Sequence, residues 1–287
     1  MLQGDVIPHI VVSSNEEDLE IYEELQTIFF TKLYQEHPNC ASSSCNDPFF
    51  HGMSMAGYRI SIHINVFNPS KSTSLNLESN ERYELKIIPP NTGQVIYVAE
   101  ITATTYFGAR HGIETLNQLI TYNEITDSLQ TYKSAHIVDE PVYPYRGVMI
   151  DSARNWISVE TIKKVIDGLG FNKLNILHWH LTDAESFPFQ TRDRILFQDL
   201  DFKLSDLSKW GAYSTNRIYS AKEITDIVHY AKIRGVKVIP EIGGPGHVYS
   251  GWDLVEKEYR NIGKILLCDN TKTCATQPCG QVFKEFK

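Results

Sequence analysis

The sequence lacks the features of three classes of protein. None of its apolar runs reaches the roughly 18 to 20 residues that a membrane-spanning helix needs. Acidic residues outnumber basic ones by 35 to 27, for a formal charge of −8, so we do not expect a surface that binds nucleic acid through its phosphates. No G-x-G-x-x-G or G-x-x-x-x-G-K-[ST] motif follows a predicted strand, which removes the main sign of a nucleotide-binding site.

Signals for export are also missing from the sequence. The first residues, MLQGDVIPHIVVSS, lack the basic region and long apolar core of a signal peptide. The one N-x-S/T triplet contains a proline, Asn68-Pro69-Ser70, which excludes glycosylation there. We therefore expect either a cytosolic protein or a chain that lacks its natural beginning.

The cysteines are few and lie in two loops. Cys40 and Cys45 belong to a Ser/Asn/Pro-rich loop, and Cys268, Cys274 and Cys279 crowd the C-terminal segment. Cysteine-rich loops are typical of proteins in which disulfides persist, and zinc binding is the alternative. Because the sequence has five cysteines, an odd number, one thiol is left without a partner.

The composition and the hydrophobic patterns of the sequence predict a folded protein with two halves. The 287 residues are 42% hydrophobic and 22% charged, enough for one or two cores. In the first half, Ser14 and Glu17 form a predicted capping box before a helix, and a second helix is predicted through GARHGIETLNQLI. Between them lie three strand-like runs, YRISIHINVF, ERYELKII and QVIYVAEIT. This mixture indicates a small α+β domain.

The second half has the rhythm of parallel βαβ units. RGVMID, LNILHWHL and VKVIPEI are short apolar runs, and amphipathic helices that Ser158 and Ser220 can cap lie between them. Such runs predict strands of a parallel sheet, either in an open doubly wound fold or in a barrel. The missing nucleotide motifs favour the barrel.

Polar side chains collect where the predicted strands end. In a parallel α/β barrel the carboxyl ends of the strands and the loops after them form the working face. Seven residues of the types used in catalysis and binding occupy these positions: Asp151, Arg154, His178, His180, Asp183, Glu241 and His247.

Several of these residues have more than one interpretation. Arg154 suits bidentate binding of hydroxyls or carboxylates, or it pairs on the surface with Asp151 or Glu160. His178 and His180 point the same way, because side chains alternate along a strand, and they are either metal ligands or hydrogen-bonded histidines.

Asp183 and His247 form the most informative predicted pair. A carboxylate beside an imidazole holds its tautomer and raises its basicity, although a structural salt bridge would have the same sequence pattern. Trp179, on the opposite face of its strand, is expected to pack against a helix. The acidic segment LFQDLDFKLSDLSKW is expected to be a solvated loop.

Together, RGVMIDSARNW, LNILHWHLTDAESFPFQ and GVKVIPEIGGPGHVYSGW resemble the first three barrel strands of glycoside hydrolase family 20, the β-N-acetylhexosaminidases. The ending PCGQ resembles the insect branch that processes chitin oligosaccharides. The resemblance implies an N-terminal α+β sandwich domain at residues 1–140. It also implies that residues 141–287 form the first three βα units of a (β/α)8 TIM barrel, which would be incomplete.

The resemblance also implies an activity. Family members release a terminal N-acetylglucosamine or N-acetylgalactosamine from the non-reducing end of β-linked oligosaccharides and glycoconjugates, with retention, through attack by the sugar's own acetamido oxygen. Arg154 would hold the hydroxyls of that sugar, and Asp183 and His247 would support the catalytic glutamate. No metal or cofactor is implied. The resemblance and the cysteines imply a place in the secretory pathway, extracellular, lysosomal or membrane-associated, and a homodimer is expected for the full-length form.

Two departures from the family pattern stand out. Gly243 occupies the place of an aspartate in the motif P-E, apolar, D-x-P-G/A-H. The family's catalytic Asp-Glu pair, expected at the end of a fourth strand, is not in the sequence; the adjacent Asp139 and Glu140 precede the first barrel strand. We therefore expect a C-terminally truncated fragment with little activity, in which Cys274 and Cys279 bridge locally and Cys268 has no partner.

Two alternatives to a hexosaminidase remain at this point. One is a non-catalytic sugar-binding or interaction product of a truncated paralogue. The other is a metal-dependent barrel hydrolase that uses the pair His178 and His180, because His-x-His at a strand end is a common metal signature.

Overall fold

The computed structural model describes residues 2–13, 19–35, 58–67, 75–125, 128–191, 204–244, 246–252, 254, 264–267 and 280–283. All five cysteines, and with them the predicted disulfides, lie outside these residues, as does the predicted capping box at Ser14. The chain divides into two compact units. The first is Met1–Tyr145 with Ile233–Gly235, and the second is Arg146–Lys232 with Val236–Lys287.

The first unit is built on a seven-stranded mixed sheet in the order β5-β6-β1-β2-β4-β3-β7. β1 and β4 run parallel to β2, and the other pairs are antiparallel. Two helices in the described part of this unit accompany the sheet. The elements are β1 (Leu2–Ser13), α1 (Leu19–Gln35), β2 (Tyr58–Val66), β3 (Tyr83–Ile88), β4 (Ile96–Ala103), α2 (Tyr106–Leu119), β5 (Thr121–Asn123), β6 (Ser128–Thr131) and β7 (Ala135–Asp139).

One face of this sheet packs on both helices. Alternate residues of the strands point inward, so that Ile62 and Ile101 are fully buried. They share a core with Phe29 of α1 and with Leu116 of α2. The buried residues of each helix recur at helical spacing. The three strands and two helices predicted for this half are therefore confirmed. β1, β5, β6 and β7 were not predicted.

The second unit is built on a three-stranded parallel sheet in the order β10-β9-β8. The three predicted strands and the two helices between them are confirmed. The sheet does not close into a barrel within the part of the chain that the structure describes. The elements are β8 (Gly147–Asp151), α3 (Val159–Phe171), β9 (Ile176–Thr182), α4 (Ser205–Gly211), α5 (Ala221–Ile233), β10 (Lys237–Ile242), β11 (Lys264–Leu267) and β12 (Gly280–Phe283).

Both predicted caps of the second unit are formed. The Ser158 Oγ accepts a hydrogen bond from the backbone N–H of Thr161 at 3.2 Å. Ser220 and Glu223 form a reciprocal capping box, because the Ser220 Oγ accepts from the Glu223 N–H at 3.2 Å and the Glu223 Oε2 accepts from the Ser220 N–H at 2.8 Å. These bonds satisfy N–H groups at the helix start that have no partner within the helix.

The acidic segment at residues 196–210 was expected to be a solvated loop, and for its described part this was wrong. Residues Ser205–Gly211 form α4. Leu207 is buried there and packs with Phe187. Apolar burial at this one position outweighs the acidic composition on which the prediction rested.

The two faces of the parallel sheet differ in character. One face is covered by α3 and α5, with Ile166, Trp179 and Ile227 in a shared core. The other face carries His178 and His180. Among the described helices, none combines the length and hydropathy needed to cross a bilayer.

Candidate active site at the carboxyl ends of three parallel strands

Strand register brings the predicted site residues together. Asp151 at the end of β8 is paired with His180 of β9, and His180 is paired with Glu241 of β10. All three side chains therefore lie on one face of the sheet, near its carboxyl edge. Asp183 and Arg154 follow in the loops after β9 and β8, and these five residues are in contact through the ion pairs described below.

Asp183 lies at the centre of these contacts, with only 2% of its side chain exposed. Its Oδ2 lies 2.8 Å from the Nε2 of His180 and 2.8 Å from an Nη of Arg154. Its Oδ1 accepts the backbone N–H of Ala184 at 2.7 Å and lies 3.1 Å from the Nδ1 of His247. The predicted Asp183–His247 contact is thus present, although its catalytic role stays a prediction.

The environment of Asp183 keeps it ionised. Burial alone would raise the pKa of the carboxyl, but the N–H of Ala184, the His180 ring, the Arg154 guanidinium and the His247 ring together lower that pKa below its ordinary value. Because four groups contact the carboxylate, it cannot rotate without losing some of these contacts. Asp183 is therefore a fixed anion that orients its partners.

Arg154 is bound to more carboxylates than the sequence predicted. One Nη donates to the Asp151 Oδ2 at 2.7 Å, the other lies 2.8 Å from Asp183, and Nε lies 3.4 Å from the Glu185 Oε2. Burial would raise the pKa of Asp151, but the Arg154 guanidinium and backbone N–H lower it overall. The surface pair with Glu160 does not form; Glu160 binds Lys164 at 2.7 Å.

Arg154 keeps donors for a ligand. Its side chain is 35% exposed, and its guanidinium carries five N–H groups. One N–H on each Nη faces Asp151 or Asp183, which leaves a second N–H on each nitrogen. The contact of Nε with Glu185 lacks hydrogen-bond geometry, since both atoms are buried without a hydrogen-bond partner in the structure.

His178 and His180 contact the same carboxylate. The His178 Nε2 lies 2.6 Å from the Glu241 Oε2, and the His180 Nδ1 lies 3.0 Å from the Glu241 Oε1. The prediction that both rings point to one side of β9 is confirmed. Within the described residues, no group of three or more His, Cys, Asp or Glu side chains is arranged to hold a metal ion.

Aromatic side chains support the loop that carries Arg154. The Tyr213 hydroxyl donates to the carbonyl oxygen of Arg154 at 2.9 Å. Trp156 stacks on the buried Tyr219 with ring centroids 5.9 Å apart, and the Tyr219 hydroxyl binds the backbone of Ile157. These contacts hold the loop after β8 against the sheet.

Sequence reasoning missed Glu185, Tyr213 and Tyr219 as site residues. Glu185 had a usable signal, because it lies only two residues beyond Asp183 in the same loop. Tyr213 and Tyr219 had none, since both follow α4 in a segment without a recognisable motif.

The loop after β10 has an unusual backbone at His247. Its φ of 59° lies in the left-handed region, which non-glycine residues seldom adopt. Gly243, four residues earlier, faces this turn. A Cβ at position 243 would lie 3.3 Å from the carbonyl oxygens of both Gly246 and His247, tighter than ordinary contact. The turn that carries His247 is therefore closely packed around Gly243.

The lowered pKa of Asp183 predicts a pH dependence of stability. Because its folded pKa lies below the ordinary 3.8, its contribution is fully present above about pH 4 and is lost as the pH falls through the folded value. When urea unfolding is measured from about pH 7 down to about pH 2, the free energy of unfolding should fall less steeply with acid in Asp183→Asn than in the wild type. Asp226→Asn, which removes a solvent-exposed partner of Lys222, should reduce this slope less. Equal slopes in wild type and Asp183→Asn would contradict this assignment.

Two family profiles match successive parts of the chain. The family described as "beta-acetyl hexosaminidase like" matches residues 18–119. "Glycosyl hydrolase family 20, catalytic domain" matches residues 143–286. The second match contains every residue of the site.

Curated relatives are similar over most of the chain. "Probable beta-hexosaminidase fdl" of Drosophila melanogaster is 39% identical over 237 residues, which are 80% of this chain and 34% of the relative. The "Chitooligosaccharidolytic beta-N-acetylglucosaminidase" of Ostrinia furnacalis is 36% identical over 232 residues, 79% of this chain and 36% of the relative. The chain thus spans about a third of the length of these relatives.

Solved structures share the fold. The chitobiase of Flavobacterium johnsoniae aligns with a TM-score of 0.61 and 25% identity, over 86% of this chain and 33% of that one. An exo β-N-acetylglucosaminidase of Vibrio harveyi, solved in complex with N-acetylglucosamine, aligns with a TM-score of 0.62 and 23% identity. That alignment covers 99% of this chain and 39% of the bacterial protein.

Proposed function

Because the chain belongs to glycosyl hydrolase family 20, as its motifs predicted, we propose that it serves the release of a terminal N-acetylhexosamine from the non-reducing end of β-linked oligosaccharides. In this proposal, β8, β9 and β10 with their helices are the first three βα units of a TIM barrel. The substrate is an N-acetylglucosamine- or N-acetylgalactosamine-terminated oligosaccharide.

The observation that carries this proposal is the arrangement around Arg154. Its guanidinium is fixed by Asp151 and Asp183, yet it is partly exposed and retains N–H donors at the carboxyl edge of the sheet. Sugar hydroxyls are good acceptors for such donors, because a guanidinium binds two neighbouring oxygens in one plane. Arg154 is therefore suited to hold two hydroxyls of a terminal sugar.

Asp183 and His247 are suited to support proton transfer. An ionised Asp183 accepts the proton on the Nδ1 of His247, which leaves the Nε2 of His247 able to accept or donate. In the proposed reaction the acetamido oxygen of the sugar attacks the anomeric carbon while an acid protonates the leaving oxygen. His247 then holds that acid through Nε2, as the family resemblance implies.

We further propose that the 287-residue polypeptide by itself binds the sugar but turns it over slowly at most. The acid of the family belongs to an Asp-Glu pair after a fourth strand, and the only adjacent Asp-Glu in this sequence is Asp139-Glu140. Asp139 ends β7 in the first unit, where it accepts a hydrogen bond from the Tyr83 hydroxyl at 3.0 Å. This proposal includes the alternative in which the chain binds sugar without catalysing its release.

The proposal extends to the source of the substrate and to the location of the protein. Relatives from Ostrinia furnacalis and Bombyx mori are named for chitin oligosaccharides, and this proposal extends that substrate class to the present chain. A place in the secretory pathway, or outside the cell, fits the family and the cysteine-rich loops. A homodimer is proposed for the full-length form.

Binding of N-acetylglucosamine to the 287-residue chain tests the proposal. Loss of a hydrogen bond to a charged group costs about 1.5–3 kcal/mol, so Arg154→Ala should weaken binding by about 10- to 100-fold in a calorimetric or NMR titration. Lys222→Ala, on the exposed side of α5, is the control and should leave binding unchanged.

Two results would overturn the proposal. One is equal affinity of wild type and Arg154→Ala, provided that circular dichroism shows both to be folded. The other is equal affinity for glucose, which lacks the acetamido group. Separately, rapid release of nitrophenol from a chromogenic N-acetylglucosaminide by the 287-residue chain would contradict the low turnover.

A further inference from the structure

Glu185 differs from the other carboxylates that contact Arg154. Its Oε2 lies 3.4 Å from the Arg154 Nε, and both of these atoms are buried without a hydrogen-bond partner among the described residues. The contact is therefore an attraction between charges and not a hydrogen bond. The Glu185 side chain is 31% exposed although its Oε2 is buried, so the exposed surface belongs to its other atoms.

The other two carboxylates beside Arg154 already have a donor for each oxygen. The Asp151 Oδ1 accepts from the backbone N–H of Arg154 at 3.0 Å, and its Oδ2 accepts from the guanidinium at 2.7 Å. The Asp183 Oδ1 accepts from the backbone N–H of Ala184 at 2.7 Å, and its Oδ2 lies 2.8 Å from the guanidinium. Among these three carboxylates, Glu185 is thus the one with unused acceptors in the described part of the chain.

Tyr213 lies close to Glu185 but donates its proton elsewhere. Burial and then the charges of Glu185 and Asp151 raise the pKa of the Tyr213 hydroxyl, which keeps it protonated. That hydroxyl donates to the carbonyl oxygen of Arg154 at 2.9 Å. Because a hydroxyl has a single proton, Tyr213 has none left for Glu185.

A guanidinium by itself does not satisfy a sugar hydroxyl. A hydroxyl both donates and accepts, whereas a guanidinium only donates. A hydroxyl that accepts from Arg154 therefore still needs an acceptor for its own proton, and a donor that leaves water unpaired weakens binding. Glu185 stands directly beside the guanidinium and has acceptors to offer. The two side chains, here called the Arg154–Glu185 pair, supply both halves of hydroxyl recognition.

We propose that Glu185 is a further sugar-binding residue, which accepts a hydrogen bond from one of the two hydroxyls that Arg154 holds. This inference rests on the proposed function, because it takes a terminal N-acetylhexosamine as the ligand. In such a sugar C1 carries the glycosidic bond and C2 the acetamido group, so the free hydroxyls on adjacent ring carbons are those at C3 and C4. The Arg154–Glu185 pair thus selects sugars in which both are free.

Titration of the 287-residue chain with matched sugars tests this role. The ligands are the methyl β-glycoside of N-acetylglucosamine and its 3-deoxy and 4-deoxy analogues, measured by calorimetry or NMR. Glu185→Met keeps the length of the side chain and removes the carboxylate, and it should weaken binding of the parent sugar by about 10- to 100-fold. Glu185→Gln keeps one acceptor oxygen without the charge, and the loss should be about 2- to 10-fold.

The decisive result is the way in which the losses combine. For the analogue that lacks the hydroxyl bound by Glu185, wild type and Glu185→Met should have equal affinity, because the interaction has already been removed. The other analogue should still lose affinity in Glu185→Met. A residue that only positions Arg154 would weaken all three sugars by the same factor. Glu160→Gln, which breaks a surface pair with Lys164, is the control and should leave all three affinities unchanged.

The possible failures are distinguishable. Equal losses for all three sugars in Glu185→Met overturn the role of Glu185, as does an unchanged affinity in variants that circular dichroism shows to be folded. Equal binding of the parent sugar and both analogues by the wild type overturns it even if no variant folds. Binding that Arg154→Ala weakens and Glu185→Met does not would refute this inference alone. No binding of the parent sugar by the wild type would refute the proposed function as well.

Discussion

Replacing Asp183 with alanine is expected to lower the free energy of unfolding by about 3–5 kcal/mol, because it leaves the Arg154 guanidinium and two histidine rings without their shared partner. Arg154 and His180 both lie 2.8 Å from the Oδ2 that the substitution removes. The Ala184 N–H and the His247 ring lose their acceptor at the same time. Urea unfolding at neutral pH, followed by tryptophan fluorescence, measures the change.

Asp226→Ala is the matched control for this prediction. Asp226 pairs with Lys222 at 2.6 Å on the exposed surface of α5, where solvent screens the attraction. Removing such a pair costs between about 0 and 1 kcal/mol. If Asp183→Ala changes stability no more than Asp226→Ala does, Asp183 is not the centre of the site's electrostatics.

Trp179→Ala should also destabilise the second unit by about 3–5 kcal/mol, through the cavity it leaves in the core. Trp179 is 1% exposed between the sheet and its helices, and its ring meets the edge of Tyr219 with centroids 5.0 Å apart. Its Nε1 donates to the Ser152 Oγ at 2.8 Å. The neighbours of Trp179 along β9 are His178 and His180, so the cavity also loosens the strand that places them.

Trp179→Phe separates volume from hydrogen bonding. Phenylalanine refills much of the space but cannot donate to Ser152. Loss of that hydrogen bond costs about 0.5–1.5 kcal/mol, and the smaller ring adds a further small loss. In thermal or urea unfolding the wild type should be the most stable of the three proteins, Trp179→Phe the next and Trp179→Ala the least stable. Equal stabilities of the Phe and Ala variants would show that the cavity is not the dominant cost.

The second unit was predictable because its signals are local. Ser158 and Ser220 stand directly before amphipathic repeats, and each capping residue fixes where its helix begins. The apolar runs next to these helices have the length of strands and are shorter than typical helices, which favours buried strands. The strand ends then indicated which polar side chains would lie close together, since a parallel sheet collects the carboxyl ends of its strands at one edge.

The first unit was harder because its missed strands depend on distant partners. β1 pairs with β2 more than 40 residues away, and its register shifts between Val6 and Ile10. Pro8 lies in that interval and has no N–H to donate, which hides the strand pattern from sequence reasoning. β7 is only five residues long and is placed by its antiparallel pairing with β3.

Individual contacts within the site were not predicted, for a different reason. The sequence indicated that Arg154 binds carboxylates or hydroxyls, but the contact with Glu185 depends on how the loop after β9 turns back. Likewise, Tyr213 reaches the carbonyl of Arg154 from a segment 59 positions further along the chain. Contacts of this kind are set by loop paths, which no periodicity encodes.

The close packing at Gly243 links any substitution at this position to the placement of His247. Any side chain there brings a Cβ to 3.3 Å from two carbonyl oxygens in the turn that carries His247. An aspartate, the residue that the family resemblance implies at this position, would therefore shift those carbonyl oxygens by a few tenths of an ångström. The residue at 243 thus helps to set where the His247 imidazole stands relative to Asp183.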